Sequence, residues 1–321
     1  MPDQPMPLRR RLLVTGANGQ LGRLVIDALL KTVPAAWITA TVRDGGTADR
    51  LASLGVQVRV VDYDQPATLD EAFAGIDRLL LISSSAVGQR IAQHRNVIEA
   101  ARRAGVKLLA YTSLLHADTS PLGLAAEHRE TEAMLRASGI PAVLLRNGWY
   151  TENETASIPA ALAHGVILGS AGEGRISSAS RADYAAAAAA VLTAAEEEGR
   201  IHELAGDEPC TMAQLAAEVS RQAGRPVEYT DLPEADYATA LVQAGLPQGL
   251  ASLLADSAVG SIQGCAVRRR PAAQPAHRPP DHAAGGKRHR RPGNFSVKRD
   301  RIEQAVEQRQ PDWSRFAIPG S

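Results

Sequence analysis

The chain has 321 residues, 45% of them hydrophobic and only 4% aromatic, which fits a globular protein and gives no base-stacking platform for nucleic acid. Its two cysteines, Cys210 and Cys265, exclude a disulfide framework or a cysteine metal cluster, so no metal is expected and a reducing cytoplasm is the expected location. No apolar run is long enough to span a bilayer, and the polar first eleven residues do not resemble a secretory signal, so no membrane partner is expected.

The first strand and the turn after it carry the most informative pattern in the chain. Apolar residues 12–14 lead into a turn with three glycines, and a helical pattern follows over 20–32. Gly16 permits the tight turn, Gly19 lets the backbone approach a pyrophosphate, and Gly22 lets the helix pack close to the strand. The phosphates then lie on the free N–H groups of the helix start. These features together predict a dinucleotide site.

Strand and helix patterns alternate along the first half of the chain. The predicted strands are 11–15, 37–42, 56–61, 78–83, 106–112 and 141–146, and the predicted helices are 20–32, 46–54, 67–74, 88–104 and 125–138. This alternation predicts an α/β fold with a Rossmann-like, doubly wound parallel sheet. Gly55, Gly105 and Gly139 each precede a strand, where a glycine is expected to end the helix before it.

The alternation loosens after about residue 150. Helical patterns remain at 185–195, 211–224, 235–244 and 248–254. We therefore divide the chain into a dinucleotide-binding Rossmann region (11–150), a smaller mixed substrate-binding region (151–264) and an atypical basic tail (265–321). The second region is expected over the carboxyl ends of the strands, where an open α/β sheet binds its ligand.

The net charge of zero conceals the basic tail. Residues 265–300 hold ten Lys and Arg and two Asp, whereas residues 1–264 hold 22 Lys and Arg and 30 Asp and Glu. An arm that binds nucleic acid, a disordered tail and a frameshifted terminus are three interpretations. We favour the frameshift, because a one-base shift after about Gly264, with suitable synonymous codons, gives ordinary composition and helical apolar spacing.

The end of the second strand indicates which cofactor binds. An acidic side chain there holds the ribose 2′-hydroxyl of NAD, whereas an arginine accommodates the 2′-phosphate of NADP. Arg43 stands at this place, and Asp44 should point to the other face because strand side chains alternate. The sequence therefore predicts NADPH, although a solvated Arg–Asp pair is the alternative. Tyr63, with Asp62, is expected near the adenine and Ser83–Ser85 near the nicotinamide ribose, unless both are simple turns.

The residues for simple carbonyl reduction are missing. Conventional short-chain dehydrogenases carry a lysine four residues after a tyrosine, where it lowers the tyrosine pKa for proton transfer. None of the six tyrosines here has a lysine at that spacing. The expected acceptor therefore needs little acid help. A quinone fits, because its reduced form has a phenol-like pKa on the order of 10, and a triphenylmethane dye cation fits because hydride alone neutralises it.

Long motifs extend the argument along residues 11–264. They are Thr15–Gly22, Leu79–Ser85, Gly88–Arg90, Ala110–Leu124, Leu145–Tyr150 and Arg181–Ala185. In these motifs the chain resembles the NmrA-like, atypical short-chain dehydrogenases, and among them the bacterial quinone oxidoreductases related to triphenylmethane reductase. The resemblance implies NADPH-dependent reduction of quinones. It also implies cofactor contacts by Gly16, Ala17, Asn18, Gly19, Gln20, Leu21, Arg43, Ser83, Ser84, Ser85, Asn147, Gly148, Trp149, Tyr150 and Arg181. The chain departs from the family at Asn18, where threonine is usual, and in its basic tail.

Four residues are candidates for the substrate side. Trp149 and Tyr150 follow the last strand of the Rossmann region and are expected to wall the nicotinamide and the quinone, with a core aromatic pair as the alternative. His116 is a candidate proton donor or a satisfied loop histidine, and Ser113 is a candidate orienting hydroxyl. The proton donor and the oligomeric state stay open.

The predicted helix at 125–138 also carries a polar cluster. Glu127, His128 and Glu132 lie where conventional relatives have the catalytic tyrosine and lysine. We interpret the cluster as helix surface, with a substrate contact as the alternative. The whole chain is thus predicted to pass hydride from NADPH to a quinone, and the main alternative is an NmrA-like redox sensor that binds NADP(H) without catalysis.

Overall fold

A seven-stranded parallel sheet forms the centre of the molecule. The computed structural model describes residues 10–86, 88–262 and 266–267. The sheet contains β1 (Leu12–Val14), β2 (Ile38–Val42), β3 (Gln57–Val60), β4 (Arg78–Leu81), β5 (Leu108–Leu114), β6 (Ala142–Asn147) and β9 (Ile201–Leu204). Its strand order is β3-β2-β1-β4-β5-β6-β9, and every neighbouring pair is parallel. The predicted Rossmann-like sheet is confirmed.

Helices cover both faces of this sheet. Those before β6 are α1 (Gln20–Leu29), α2 (Asp49–Ser53), α3 (Pro66–Phe73), α4 (Arg90–Arg103) and α5 (Gly123–Ser138). Those after it are α6 (Thr151–Thr155), α7 (Ile158–His164), α8 (Arg181–Thr193), α9 (Met212–Ala223), α10 (Glu234–Gln243) and α11 (Gln248–Ile262). One core joins the sheet to α1, α2 and α8, and a second core joins its other face to α3, α4 and α5. None of the helices in the described part of the chain combines the length and the hydropathy of a membrane span.

The region after β6 adds two small sheets. Strand β7 (Val166–Gly169) pairs in parallel with β11 (Glu228–Asp231), and β8 (Arg175–Ile176) pairs with β10 (Cys210–Thr211). Helices α7 and α9 enclose a third core with β7. The basic segment predicted over 265–321 lies outside the described residues, apart from Ala266 and Val267.

Predicted and observed elements agree closely up to β6. Gly55, Gly105 and Gly139 all adopt positive φ, at +79°, +70° and +72°, which confirms them as residues that end helices. Several elements of the second region were not predicted, among them α6, α7 and all of its strands. Strand β9 is half exposed at the edge of the sheet and lacks a continuous apolar run. Helix α11 continues to Ile262 rather than ending at 254, because its small residues, such as Gly260, pack against α5 and its flanking loop.

Helix α8 runs from the carboxyl edge of the sheet to its amino edge, and side chains fix both of its ends. At its start Ser180 and Asp183 form a reciprocal capping box. At its end the buried guanidinium of Arg78, the first residue of β4, donates to the carbonyl oxygens of Leu192 (3.0 Å) and Ala194 (2.6 Å). The helix is therefore held to the sheet at both edges.

Candidate cofactor and substrate site

A cleft of about 620 Å³ opens at the carboxyl edge of the sheet, above the point where the strand order reverses between β1 and β4. Open α/β sheets bind their ligands at this kind of switch point. The cleft is lined by Gly16, Asn18, Gly19, Gln20, Leu21, Thr41, Val42, Arg43, Val61, Tyr63, Ile82, Ser83, Ser84, Ser85, Arg90, Tyr150 and Arg181. Most of the cofactor residues expected from the sequence are thus brought together.

The glycine-rich turn fits a backbone that must approach a ligand and a helix closely. Gly16 has φ +57°, and the N–H of Gly19 donates to its carbonyl oxygen at 2.9 Å. A Cβ atom on Gly22 would lie 2.3 Å from the Gly16 carbonyl oxygen and 2.7 Å from the Cα of Ala17. No side chain can be added at position 22 without moving the turn away from α1.

The start of α1 is open to a ligand. Its N-cap residue is Gly19, no side chain caps it, and its first turn has no acidic residue. The first N–H groups are therefore available to phosphate oxygens. The start of α8 is different: the Arg181 N–H donates to the carboxylate of Glu152 at 2.9 Å, and the Asp183 N–H donates to Ser180. Of the two helices, α1 offers its backbone to the cleft, whereas α8 offers the side chain of Arg181.

The charge of the cleft is positive. Three arginines line it, Arg43, Arg90 and Arg181, and among the described residues no carboxylate does. Asp44, the acidic residue that follows Arg43, turns to accept the Gly46 N–H at 2.9 Å. The end of β2 therefore offers a cation, and not a carboxylate, to the ribose that would bind there.

Asp62 and Tyr63 separate at the end of β3. Asp62 closes a turn by accepting the Asp64 N–H at 3.0 Å, and it is not among the residues that line the cleft. Tyr63 does line the cleft, and its burial raises the pKa of its phenol to about 12, against a lowering by Thr15 and Arg43. The buried hydroxyl of Thr41 has no hydrogen-bond partner within the described residues, which leaves a polar atom for a ligand or water at the floor of this side.

The segment after β4 is held by hydrogen bonds from three different elements. The N–H of Ile82 donates to Thr15 Oγ1 at 3.0 Å and that of Ser83 to Thr112 Oγ1 at 2.9 Å. The N–H of Ser84 donates to the Nε2 atom of His94 at 3.0 Å. Since the N–H groups of Ser83 and Ser84 are already used, these two residues can offer the cleft only hydroxyl groups and carbonyl oxygens.

Arg90 joins this segment to α5. Its Nε donates to the Ser84 carbonyl at 2.7 Å, and its Nη1 lies 2.9 Å from Glu127, which also accepts the Gly88 N–H at 2.8 Å. The guanidinium is 6% exposed and still lines the cleft. Arg90 belongs to a motif that carried the family resemblance, but the sequence analysis gave it no role in the site.

The expected helix surface on α5 is wrong. His128 is 4% exposed and Glu132 is 2% exposed, and both face the sheet. Nδ1 of His128 lies 2.7 Å from the hydroxyl of Tyr111, and burial lowers the pKa of His128 to about 3, with the charge of Arg90 adding to the effect. His128, Thr131, Glu132 and Leu135 share one helical face, and the buried Leu135 was the available signal that this face is inward.

Tyr150 and Arg181 form one wall of the cleft. The guanidinium of Arg181 lies 4.7 Å from the centre of the Tyr150 ring, and its Nη2 donates to Asn153 Oδ1 at 2.6 Å. The ring of Tyr184 contacts Tyr150 edge-on at 5.3 Å between centroids. Burial raises the pKa of Tyr150, against a lowering by Asn147 and Arg181. This phenol therefore stays protonated at neutral pH.

Four of the expected cofactor residues lie outside the lining of the cleft. Ala17 is fully buried beneath the turn, and Trp149 packs between the small core around α7 and the loop before α5. The Gly148 N–H donates to the Leu204 carbonyl at 2.8 Å, which joins β6 to β9. Asn147 is 6% exposed, and its Oδ1 has no partner among the described residues. This orphaned oxygen has spare capacity for a ligand.

Ser113 and His116 lie in an ionic cluster beside the cleft. Arg146 is its centre: it contacts Glu132 at 2.8 and 2.9 Å, Glu203 at 2.8 Å and Asp118 at 3.0 Å. The hydroxyl of Ser113 donates to Glu132 at 2.6 Å. The N–H of His116 donates to Glu203 at 2.9 Å, and its Nε2 lies 2.9 Å from the Val267 carbonyl. We call Arg146, Glu132, Glu203 and Asp118 together the Arg146 cluster.

The geometry of the cluster explains how Ser113 and His116 are held. Burial lowers the pKa of Arg146, but its contacts with Glu132, Glu203 and Asp118 outweigh burial and raise the pKa overall. His116 is the one non-glycine residue of the described chain with positive φ, at 54°, and its backbone bond to Glu203 stabilises that conformation. Neither side chain lines the cleft.

A family model for NmrA-like proteins matches residues 9–259, which is most of the chain. The chain belongs to the NmrA-like family. It is 60% identical over 253 residues to quinone oxidoreductase 2 of Escherichia coli K12, a match that covers 79% of this chain and 88% of that protein.

Solved structures of relatives show the same architecture. An NADPH-dependent quinone oxidoreductase from Escherichia coli, complexed with NADPH, is 60% identical and superposes with a TM-score of 0.79, covering 80% of this chain and 91% of that one. The Citrobacter triphenylmethane reductase complexed with NADP(H) is 40% identical, with a TM-score of 0.78 over 81% of this chain and 92% of that one. The expected resemblance within the NmrA-like family is confirmed.

Proposed function

We propose that the protein is an NADPH-dependent quinone reductase. The single observation that carries this proposal is the 60% identity to quinone oxidoreductase 2 of Escherichia coli, which extends over 79% of the chain. The cleft supports it independently, because an open helix start and three arginines without a lining carboxylate suit a phosphorylated dinucleotide.

The residues around β1 and β2 would hold the phosphates. The turn at Gly16–Gly22 and the free N–H groups of α1 would receive the pyrophosphate. Arg43 would contact the 2′-phosphate, since its guanidinium can form two charge-assisted hydrogen bonds to one phosphate group. This arrangement favours NADPH over NADH.

The residues around β4 and β6 would position the reacting groups. When bound, the nicotinamide supplies the hydride that reduces the acceptor. Ser83–Ser85 would contact the ribose through hydroxyl and carbonyl oxygens, and the ring of Tyr150 would form the wall against which the acceptor is held. Asn147 Oδ1 is a spare acceptor at the same end.

The proton for the reduced quinone need not come from a strong side-chain acid. Hydride plus one proton converts a quinone to a hydroquinone, and the product oxygens have a phenol-like pKa on the order of 10. Among the described residues that line the cleft, Tyr150 and Tyr63 carry the phenols, and burial raises the pKa of both. Water therefore completes the reaction in this proposal, and the residues of the chain orient the acceptor.

The two predicted regions of the chain have different roles in the proposed function. Residues 11–150 would bind NADPH, and residues 151–264 would cover the acceptor, with Arg181 and Tyr150 at the junction. Trp149, Ser113 and His116 would support that cover from behind, because they lie beside the cleft rather than in its lining. The cytoplasm is the proposed location.

The test is NADPH oxidation by the purified protein, with and without 1,4-benzoquinone, and with NADH in parallel. Oxidation that depends on the quinone and prefers NADPH is the expected result. Tight NADPH binding without turnover would instead support a redox sensor of the NmrA-like kind. Absence of NADPH binding would contradict the cofactor assignment itself.

A further inference from the structure

The segment Ser83–Ser85 lines the cofactor cleft but is shaped from behind by α4. The N–H of Ser84 donates to Nε2 of His94 at 3.0 Å, and the hydroxyl of Ser84 donates to Gln93 Oε1 at 2.7 Å. His94 has no exposed surface and does not reach the cleft itself. Its contact with Ser84 is therefore the route by which it can affect a ligand.

The hydrogen bonds around His94 have one direction only. Because Nε2 accepts a backbone N–H, it carries no proton, and the proton of the neutral ring lies on Nδ1. Nδ1 lies 3.0 Å from Thr131 Oγ1, and that hydroxyl donates to the Glu127 carbonyl at 2.9 Å. The chain of donors therefore runs from Ser84 through His94 and Thr131 to the backbone of α5.

Burial keeps this direction fixed. Burial, together with the nearby charge of Arg90, lowers the pKa of His94 to about 3. The ring of Tyr111 packs edge-on against the imidazole, at 5.4 Å between centroids. Protonation would place a second N–H against the Ser84 N–H, and the surroundings oppose that over the whole physiological pH range.

We propose that His94 is a positioning residue for the nicotinamide half of the cleft: it accepts the Ser84 N–H and thereby sets Ser83–Ser85 against the ribose and nicotinamide. This inference rests on the proposed NADPH site. The strand order locates the effect, because the dinucleotide crosses the switch point with its adenine half over β1–β3 and its nicotinamide half over β4–β6.

The alternative is that His94 merely fills the core. A core residue would affect all ligands of the cleft alike, through the stability of the fold. A positioning residue would affect ligands that contain the nicotinamide half and spare those that lack it. Adenosine 2′,5′-bisphosphate carries the adenine half and the 2′-phosphate only, so its comparison with NADPH separates the two roles.

The experiment measures the Kd of both ligands by calorimetry for the full chain and three variants. His94→Leu removes the acceptor, whereas His94→Gln keeps an acceptor near the place of Nε2. His128→Leu is the matched control, since His128 is also buried, is also bonded through its ring to one hydroxyl, and has no hydrogen bond to Ser83–Ser85 among the described residues.

The expected result is selective. His94→Leu should raise the Kd of NADPH about tenfold, because the released Ser84 N–H lets the segment leave its binding conformation, and restoring that conformation on binding costs about as much as one hydrogen bond. The Kd of adenosine 2′,5′-bisphosphate should change less than about twofold, His94→Gln should restore most of the NADPH affinity, and His128→Leu should spare both ligands. Equal losses for both ligands, no loss for either, or the same selectivity in His128→Leu would overturn the proposal.

One further variant and the unaltered chain separate the role of His94 from misfolding and from a failed cofactor assignment. If His94→Leu does not fold, Thr131→Val removes the partner of Nδ1 instead, and a selective loss of NADPH affinity is again expected. The unaltered chain separates this inference from the proposed function: if it does not bind NADPH at all, the cofactor assignment fails, whereas normal NADPH binding with unselective variants removes only the role of His94.

Discussion

The two halves of the cleft are built on opposite principles. The half over β1–β3 offers the phosphates bare backbone and one exposed cation: the glycines at 16, 19 and 22, the uncapped start of α1 and Arg43. The half over β4–β6 is a segment with buried side chains behind it, and its backbone donors are bonded to Thr15, Thr112 and His94. The phosphate end of the first half depends on the absence of side chains, whereas the segment after β4 in the second half depends on hydrogen bonds to buried partners.

This difference determines how each half can be damaged. Adding atoms should break the first half, since there is no space beneath the turn. Removing a partner should break the second half and the Arg146 cluster beside it, since a buried polar group without its partner keeps the cost of desolvation. The following predictions test this contrast, from the largest expected effect to the smallest.

Arg146→Met tests the removal of a partner. Arg146 is 4% exposed and holds the 2% exposed carboxylate of Glu132 at 2.8 Å. Its loss leaves the buried carboxylate with only the exposed Arg136, at 3.6 Å, as a cation and should lower the free energy of unfolding by about 3–5 kcal/mol, measured by urea denaturation. Arg103→Met is the control, because its ion pair with Asp70 is about half exposed and should contribute less than about 1 kcal/mol. Equal losses in the two variants would contradict the prediction.

Gly22→Ala tests the addition of one atom. The new Cβ would meet the Gly16 carbonyl oxygen at 2.3 Å, so the turn must shift from α1. The expected loss is about 1–3 kcal/mol of unfolding free energy, together with a higher Kd for NADPH. Gly249→Ala, in α11, is the control, since a Cβ there meets nothing within 4 Å. Its free energy of unfolding should differ from that of the parent chain by no more than about 1 kcal/mol. A Gly22→Ala protein with unaltered NADPH affinity would remove the turn from the site.

Arg43→Glu sharpens the description of the adenine half. The loss of a charge-assisted contact to the 2′-phosphate, about 1.5–3 kcal/mol, should lower kcat/KM with NADPH about 10- to 100-fold. The value with NADH, which has no such phosphate, should change much less. Arg95→Glu alters an exposed charge on α4 and controls for net charge. Equal effects on NADPH and NADH would show that Arg43 does not select the cofactor.

Glu154→Gln tests an exception to the completeness of the nicotinamide side. This partly exposed carboxylate on α6 has no ion pair within the described residues, and desolvation raises its pKa from 4.5 to about 7. Between these values the folded state retains a proton that the unfolded state releases, so stability should fall as the pH rises. The variant should therefore exceed the parent chain by about 1–3 kcal/mol at pH 8 and match it at pH 4.

The control for this variant is the exposed Glu130→Gln, which also removes one carboxylate. Unfolding free energies at pH 4, 6 and 8 provide the measurement for both variants. A difference between Glu154→Gln and the parent chain that stays constant with pH would contradict a raised pKa for this carboxylate.

The adenine half could be predicted from the sequence because its determinants are local. Gly16, Gly19 and Gly22 lie in one turn, Arg43 ends one strand, and the apolar periods on either side mark the strand and the helix. The structure brings Gly16, Gly19 and Arg43 together in one cleft, with Gly22 packed behind the turn. Their roles toward a cofactor stay predictions, which the variants above test.

The nicotinamide half could not be predicted in the same way because its determinants are distant and polar. His94 lies ten residues from Ser84 and 37 from Thr131, and no period of apolar residues marks such a chain. His128 and Glu132 were assigned to the helix surface because polar side chains usually face solvent, but partners on β5 and β6 stabilise them inside. Polar partners on neighbouring strands therefore bury side chains that polarity alone would assign to the surface.

The attachment of α8 has a consequence for the cleft. Its 13 residues span about 20 Å at 1.5 Å per residue. Arg78 binds the C-terminal end of the helix at the amino edge of the sheet, and Arg181 lies at its N-terminal end against Tyr150. Because the length of the helix is fixed, its attachment at the amino edge of the sheet determines how far Arg181 reaches into the cleft at the carboxyl edge.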